Sequence, residues 1–156
     1  MADKKKEQQT DTELETTTTV IGDWRIVHQT APDGTVRKFM NQRGVDGNNN
    51  KQVFQIGFQY QADTKETIVE LFLPLGVVLP AGVKFGFSEK NEYEAMYQSC
   101  FQEGCLAVAR VDKTVEKKFK EDGKGFIEFT HSQGGHMKLP FSLKGFSQGF
   151  KKLKEA

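Results

Sequence analysis

Residues 54–61 read FQIGFQYQ, and this stretch decides the fold class. Its large apolar side chains occupy every second position, and Gln and Gly fill the positions between them. Strict alternation with a period of two is the pattern of a β-strand that has one face in the core and one face in water. We therefore predict a half-buried strand here.

Similar strand patterns recur along the chain. Trp24–His28 and Val83–Phe87 alternate, and Thr67–Leu73 is apolar on both faces near its end, which predicts a central strand. Pro140 cannot donate a backbone hydrogen bond, so the strand that contains it should lie at a sheet edge. Further strands are predicted over Thr35–Asn41, Cys105–Val111, Gly125–Thr130 and His136–Leu143.

Helix signals are few. Thr114–Lys120 could form one short turn or two, and apolar side chains have helical spacing near the C-terminus at Leu143, Phe146, Phe150 and Leu153. Eight to nine short strands with at most one or two short helices predict an all-β fold, an immunoglobulin-like β-sandwich. A closed barrel is the alternative.

The N-terminal segment has a different composition. Residues 1–19 are almost wholly polar and include four consecutive threonines, Thr16–Thr19. Such a segment cannot bury enough apolar surface to offset the entropy of ordering it, which predicts a disordered tail. Residues 20–156 are then predicted to form a single domain of ordinary size.

Charge and hydropathy exclude two classes of protein. The 22 basic and 21 acidic residues leave a net charge of +1, without the cationic surplus by which proteins bind nucleic acid. The most apolar stretch, Leu71–Val83, is interrupted by Pro and Gly and is far shorter than the roughly 20 residues of a membrane span. No signal peptide follows Met1, so the protein is either cytosolic or has lost its signal.

Cys100 and Cys105 are the two cysteines, and three interpretations compete. The even count and Gly104, which lets the short connection bend, favour a disulfide. A zinc site would need about four ligands, and no second ligand module is present. A redox dithiol is the third interpretation, although catalytic pairs usually have two intervening residues rather than four.

No enzyme motif is present, and we predict a protein without catalytic activity, cofactor or metal. The chain contains no Gly-x-Ser-x-Gly, no phosphate loop and no His-Glu-x-x-His. His131 and His136 flank Ser-Gln-Gly-Gly, which suggests a metal site but is more typical of a polar hairpin between two strands. His28 receives no role.

Several short motifs in a fixed order resemble one family. They are Leu73-Pro74-Leu75-Gly76-Val77, Leu79-x-x-Gly82-Val83, Cys100-x-x-x-Gly104-Cys105-x-Ala107 and Leu143-x-Gly145-Phe146. Their order and spacing resemble the invasion-associated locus B family of Gram-negative bacteria. Trp24 and Phe39-Met40-Asn41-Gln42 match the opening of the family, so the resemblance covers nearly all of the chain from Trp24 to Phe150.

The resemblance implies a β-sandwich that is exported to the periplasm, the outer membrane or the medium, and that has no known catalytic activity. The founding members are associated with invasion of host red cells. Export would make a disulfide the natural state of Cys100 and Cys105 and would mean that a signal peptide has been removed. Relatives often carry a second cysteine pair, at positions that here are His28 and Lys38.

Our first hypothesis is an exported accessory protein that binds an unknown protein, envelope component or host surface, in an oligomeric state that the sequence leaves open. The second is an envelope enzyme or redox protein that uses the cysteine pair, and the third is a purely structural envelope protein. The candidate contact surface is an acidic and aromatic loop with Glu89, Glu92, Tyr93, Glu94 and Tyr97. Alternatively, Tyr93 and Tyr97 only cover the cysteine bridge.

Overall fold

The computed structural model describes residues 15–45, 52–61, 63–88, 91–111 and 124–154, and this part of the chain is mostly strand. A short 3-10 helix spans Leu79–Ala81 and the helix α1 spans Phe146–Lys154. The strands are β1 (Glu15–Ile21), β2 (Trp24–Thr30), β3 (Val36–Val45), β4 (Gln52–Gln61), β5 (Glu66–Leu73), β6 (Val83–Ser88), β7 (Asn91–Cys100), β8 (Cys105–Val111), β9 (Lys124–His131) and β10 (Gly135–Ser142). The segment Thr114–Lys120 lies outside the described residues.

The ten strands form one antiparallel sheet in the order β1-β2-β3-β4-β5-β8-β7-β6-β9-β10. Strand β7 joins its two halves, because residues 91–95 pair with β6 and residues 96–100 pair with β8. A strand that changes partner along its length turns a corner between two sheet segments. The sheet consequently curls into a half-barrel.

The all-β prediction is confirmed, whereas the immunoglobulin-like sandwich and the count of eight to nine strands are not. Two additional strands, β1 and β7, come from segments that we expected to be a tail and a loop. The sheet also stays continuous through β7, so the two halves of the core face are parts of one curled sheet rather than two stacked sheets.

Strand β1 occupies the last part of the predicted tail. It pairs with β2 from Glu15 opposite Thr30 to Ile21 opposite Trp24. Threonine is β-branched and favours strands, and an edge strand exposed on both faces needs no apolar alternation. A search for apolar alternation therefore does not predict that residues 15–19 belong to a strand. Residues 1–14 lie outside the described part of the chain.

Three finer predictions are confirmed. Strand β10, which contains Pro140, is the last strand of the sheet, and β5 is central between β4 and β8. The C-terminal apolar residues form α1, which buries Phe146, Phe150 and Leu153.

The core lies inside the curl. The ring of Trp24 packs edge-to-face on Phe58, Phe141 and Phe146, with ring centroids 5.6, 6.1 and 5.3 Å away. Helix α1 packs against β2 and β3, where Gly149 leaves room for Met40. Aromatic pairs of this kind add about 0.5–1.5 kcal/mol each beyond their burial.

Side chains join β3 to β10, far apart in the strand order. The Gln42 Nε2 donates to the Ser142 carbonyl at 3.0 Å, and the Gln42 Oε1 accepts from the Ser142 N–H at 2.8 Å. Nearby, the Asp23 N–H donates to the Lys144 carbonyl at 3.0 Å. These bonds hold the curl. Helix α1 packs on the core side of the sheet, against Met40 and Ile26, and so leaves the convex side uncovered.

Candidate binding surface

The residues predicted for partner contact lie on strand β7 rather than on a loop. Glu92, Tyr93, Glu94 and Tyr97 are within Asn91–Cys100, and Glu89 lies outside the described residues. The loop prediction is wrong for this part because polar and aromatic positions alternate. In a strand, such an alternation separates the two kinds of side chain onto opposite faces.

The two tyrosines turn toward the core. Tyr93 stacks on Phe85 with ring centroids 5.4 Å apart, and both tyrosines pack against the buried core residues. The Tyr97 hydroxyl has no hydrogen-bond partner within the described part of the chain, and burial raises the pKa of Tyr97 to about 12. The rings therefore contribute packing to the domain.

The alternate side chains of β7 face outward. Glu92 forms an ion pair with Lys84 at 3.8 Å, and Glu94 lies opposite Lys84 in the strand register. The next outward side chain, Met96, is 55% exposed. The outward side of β7 is thus accessible, and it presents the acidic side chains Glu92 and Glu94 next to the apolar side chain of Met96.

The disulfide prediction is confirmed, since Cys100 and Cys105 are bonded. The bridge joins the ends of β7 and β8 beside a tight turn in which Phe101 and Gly104 exchange backbone hydrogen bonds. It therefore fixes the register of this hairpin at the end of β7 that pairs with β8.

The polar-hairpin interpretation of the histidines is also confirmed. The His131 Nδ1 accepts from the Gln133 N–H at 3.2 Å in the turn between β9 and β10, so its Nε2 carries the proton and donates to the Leu75 carbonyl at 2.9 Å. The His136 Nε2 forms a hydrogen bond with the Glu128 carboxylate. Across the described ranges, no group of three or more His, Cys, Asp and Glu could hold a metal ion.

A cavity that the sequence analysis missed lies on the outer face, which we define as the convex side of β2, β3, β4, β5 and β8. It has a volume of about 350 Å³. Its polar lining is Arg37, Asn41, Gln55 and Glu70, and its apolar lining includes Phe39, Phe72 and Leu106. Side chains from four strands converge there because these residues occupy the positions that alternate with the core positions.

Gly57 leaves this cavity open. It lies between Asn41 and Glu70 in the strand register. A Cβ atom on Gly57 would meet its nearest neighbour, the Met40 carbonyl oxygen, at 3.6 Å, an ordinary contact. A glycine within a strand is destabilising by roughly 0.5–1 kcal/mol relative to alanine and often marks the close approach of a ligand. No steric need for glycine is present here.

Arginines surround the cavity. A second cavity of about 260 Å³ has Arg25, Arg43 and Asp23 as its charged lining and shares Asn41 with the first. Arg25, Arg37 and Arg43 are exposed, and none forms an ion pair with a carboxylate of the described residues. The outer face therefore offers cationic groups with free hydrogen-bonding capacity next to amides and phenyl rings.

Comparison with protein families gives a match to the model described as Invasion associated locus B (IalB) protein, over residues 24–154. The chain belongs to the IalB family. Its fold is similar to that of a crystal structure of invasion associated protein B from Bartonella henselae, with a TM-score of 0.74 and 23% sequence identity. That similarity covers 88% of this chain and 94% of the other. Comparison with curated proteins gives no match.

The glycine of the last IalB motif has a structural reason. Gly145, in Leu143-x-Gly145-Phe146, has a φ of +85° and lies against the backbone of Ile21, where a Cβ would approach the Ile21 carbonyl oxygen to 2.3 Å. His28 and Lys38, which the resemblance implied to be the positions of a second cysteine pair, lie directly opposite each other on β2 and β3. A cross-strand bridge at these positions would join the same two strands that backbone pairing joins here.

In the part of this IalB protein that the structure describes, no helix is both long enough and apolar enough to span a membrane.

Proposed function

We propose that this IalB protein is an exported accessory protein of the bacterial envelope or cell surface, that it supports invasion of host red cells, and that it acts by binding rather than by catalysis. The family match over residues 24–154 is the observation that carries the proposal. A binding role agrees with the outer face, where cavities, amides and arginines without an ion pair to any described carboxylate lie on one continuous sheet. Rigid scaffolds of this kind position recognition groups at low entropic cost.

We further propose that the outward side chains of β7 take part in partner contact. Met96 lies opposite Val108 of β8, and Val108 lies opposite Glu70 of β5, so Met96 continues the outer face toward the acidic side chains of β7. Tyr93 and Tyr97 are unsuitable for a test because their rings pack on the core.

Deletion and complementation of the gene test the function. Bacteria without the gene should invade red cells less often, and the wild-type gene should restore invasion. Complementation with Glu94→Gln and Met96→Gln together should restore invasion only partly, because it removes one charge and one exposed apolar group without disturbing the core. Equal invasion with and without the gene would contradict the function.

A matched control is Glu103→Gln with Leu79→Gln, which makes the same charge change and removes an exposed apolar side chain outside β7. It should restore invasion fully. If both double variants invade as well as the wild type while the deletion does not, the contact surface is not on β7 and the function stands.

A further inference from the structure

We propose that the cavity above Gly57 binds an acidic saccharide of the host-cell surface, a sugar that carries a carboxylate or sulfate group. This inference rests on the proposed function and deepens it by naming the ligand class and the residues that would recognise it.

The lining of the cavity fits a sugar ring. A saccharide presents hydroxyl groups around its edge and an apolar C–H surface on its faces. Asn41 and Gln55 can each donate and accept, Glu70 accepts, and Arg37 donates. Phe39 and Phe72 supply flat apolar surface beside these groups. The volume of about 350 Å³ is at the small end of ligand pockets, which run from roughly 300 to 1,000 Å³.

The charge of the ligand follows from the two arginines of the second cavity, because the Asp23 carboxylate beside them accepts a hydrogen bond from the Ser142 hydroxyl. Arg25 lies directly opposite Asn41, and Asn41 lies directly opposite Gly57. Neighbouring strands are about 4.8 Å apart, so Arg25 lies about 10 Å from Gly57 along the surface. An anionic group beside the ring in the first cavity would reach Arg25 and Arg43. A guanidinium binds carboxylate and sulfate with two parallel hydrogen bonds.

Two other classes of ligand fit less well. An extended peptide usually adds to a sheet edge, and β3, β4 and β5 have strand partners on both sides. A nucleic acid would need a cationic surplus to displace its counterions, whereas the chain has a net charge of +1.

The decisive variant is Gly57→Val. Its Cβ fits without a close contact, valine favours strands, and its methyl groups occupy the floor of the cavity. The variant should unfold at the same temperature as the wild type or at a higher one. Purified protein is titrated with sialyllactose, with heparin tetrasaccharide and with neutral lactose. We expect saturable binding of at least one acidic probe, and binding at least about tenfold weaker for lactose and for Gly57→Val.

Two further variants separate the roles of the residues. Gly134→Ala, in the turn between β9 and β10, is the glycine control and should bind like the wild type. Arg43→Gln should reduce the preference for the acidic probe over lactose, and Lys152→Gln, an equally exposed cation on α1, should not. Equal binding by wild type and a folded Gly57→Val variant would overturn the proposal, as would the absence of binding to every saccharide.

Competition distinguishes the ligand classes and the source. Displacement of the saccharide by an acidic peptide or a DNA oligonucleotide at equal charge would overturn the saccharide assignment. Binding only to acidic polysaccharide extracted from the bacterium's own envelope would overturn the host-surface assignment. If the gene is needed for invasion but no saccharide binds, this inference fails and the proposed function stands. If the protein binds the saccharide but is not needed for invasion, the proposed function fails and the assignment of the cavity to an acidic saccharide stands.

Discussion

The side-chain amide of Gln42 forms the two hydrogen bonds that a backbone N–H and C=O would form between paired strands. Its amide both donates to and accepts from Ser142, a residue 100 positions later in the chain. The sequence places Gln42 at the end of a strand and within a family motif, but its partner depends on the curl of the whole sheet. Local patterns contain no information about that partner.

Gln42→Ala should therefore lower the free energy of unfolding by about 2 kcal/mol, because two part-buried hydrogen bonds are lost. Gln42→Glu should also destabilise, since a carboxylate cannot donate to the Ser142 carbonyl. Denaturant unfolding measures both, with Gln59→Ala on the outer face as the control for loss of an amide. Equal stability of the Gln42→Ala variant and the wild type would show that these bonds do not hold the curl.

Tyr97 makes stability depend on pH in the alkaline range. An unfolded tyrosine has a pKa near 10, and burial raises the pKa of Tyr97 in the folded protein to about 12. Between these values the unfolded state loses its proton first, so the free energy of unfolding falls as pH rises from about 10 to about 12. Tyr97→Phe should show a shallower fall, and at pH 7 it should be at least as stable as the wild type.

Urea unfolding at pH 8 through 12 measures this difference. Tyr60→Phe controls for the removal of a phenol hydroxyl. Identical pH dependence in the wild type and the Tyr97→Phe variant would show that the raised pKa of Tyr97 does not cause the loss of stability at alkaline pH.

At the scale of elements, alternation predicted the strands that bury one apolar face. Strands β4, β5 and β8 bury alternate positions, β9 buries Phe126, Ile127 and Phe129, and all four are found close to their predicted bounds. Strand β1 buries almost nothing, and β7 buries tyrosines between glutamates, so neither has the strong apolar period of the others. Pairing with neighbouring strands, rather than an apolar alternation of their own, makes them strands.

Truncation tests the extent of β1. Removal of residues 1–14 should leave the melting temperature unchanged, which retains part of the prediction made for the tail. Removal of residues 1–21 should lower it by several degrees, because β2 loses its partner strand and the core loses the packing of Ile21. If both truncations melt like the full chain, β1 contributes nothing to stability.

The cysteine pair distinguishes a structural bridge from a redox group. Cys100→Ser with Cys105→Ser removes a bridge that closes a short loop, which should cost about 2 kcal/mol in the chain-entropy model. Because the outer-face cavity does not include the cysteines, the double variant should retain binding and should restore invasion at a temperature at which it is folded. Loss of invasion by a folded double variant would favour the redox hypothesis.

At the scale of the whole molecule, the sequence predicts a β-rich domain but not its shape. The same alternating faces fit a sandwich, a barrel or a curled sheet, and the choice depends on long-range pairing such as that of β5 with β8 and on the corner in β7. The cavity was missed for the same reason. Arg37, Gln55 and Glu70 are far apart in sequence and unremarkable alone, and only the strand register brings them around Gly57.

Recognition through the outer face is tested most directly by the binding of purified protein to intact red cells. Flow cytometry measures this binding for the wild type and for the Gly57→Val variant at equal folded fraction. We expect saturable binding of the wild type that free acidic saccharide displaces, and binding at least about tenfold weaker for Gly57→Val. Equal binding by the two proteins would contradict the claim that the outer face of this IalB protein is its recognition surface.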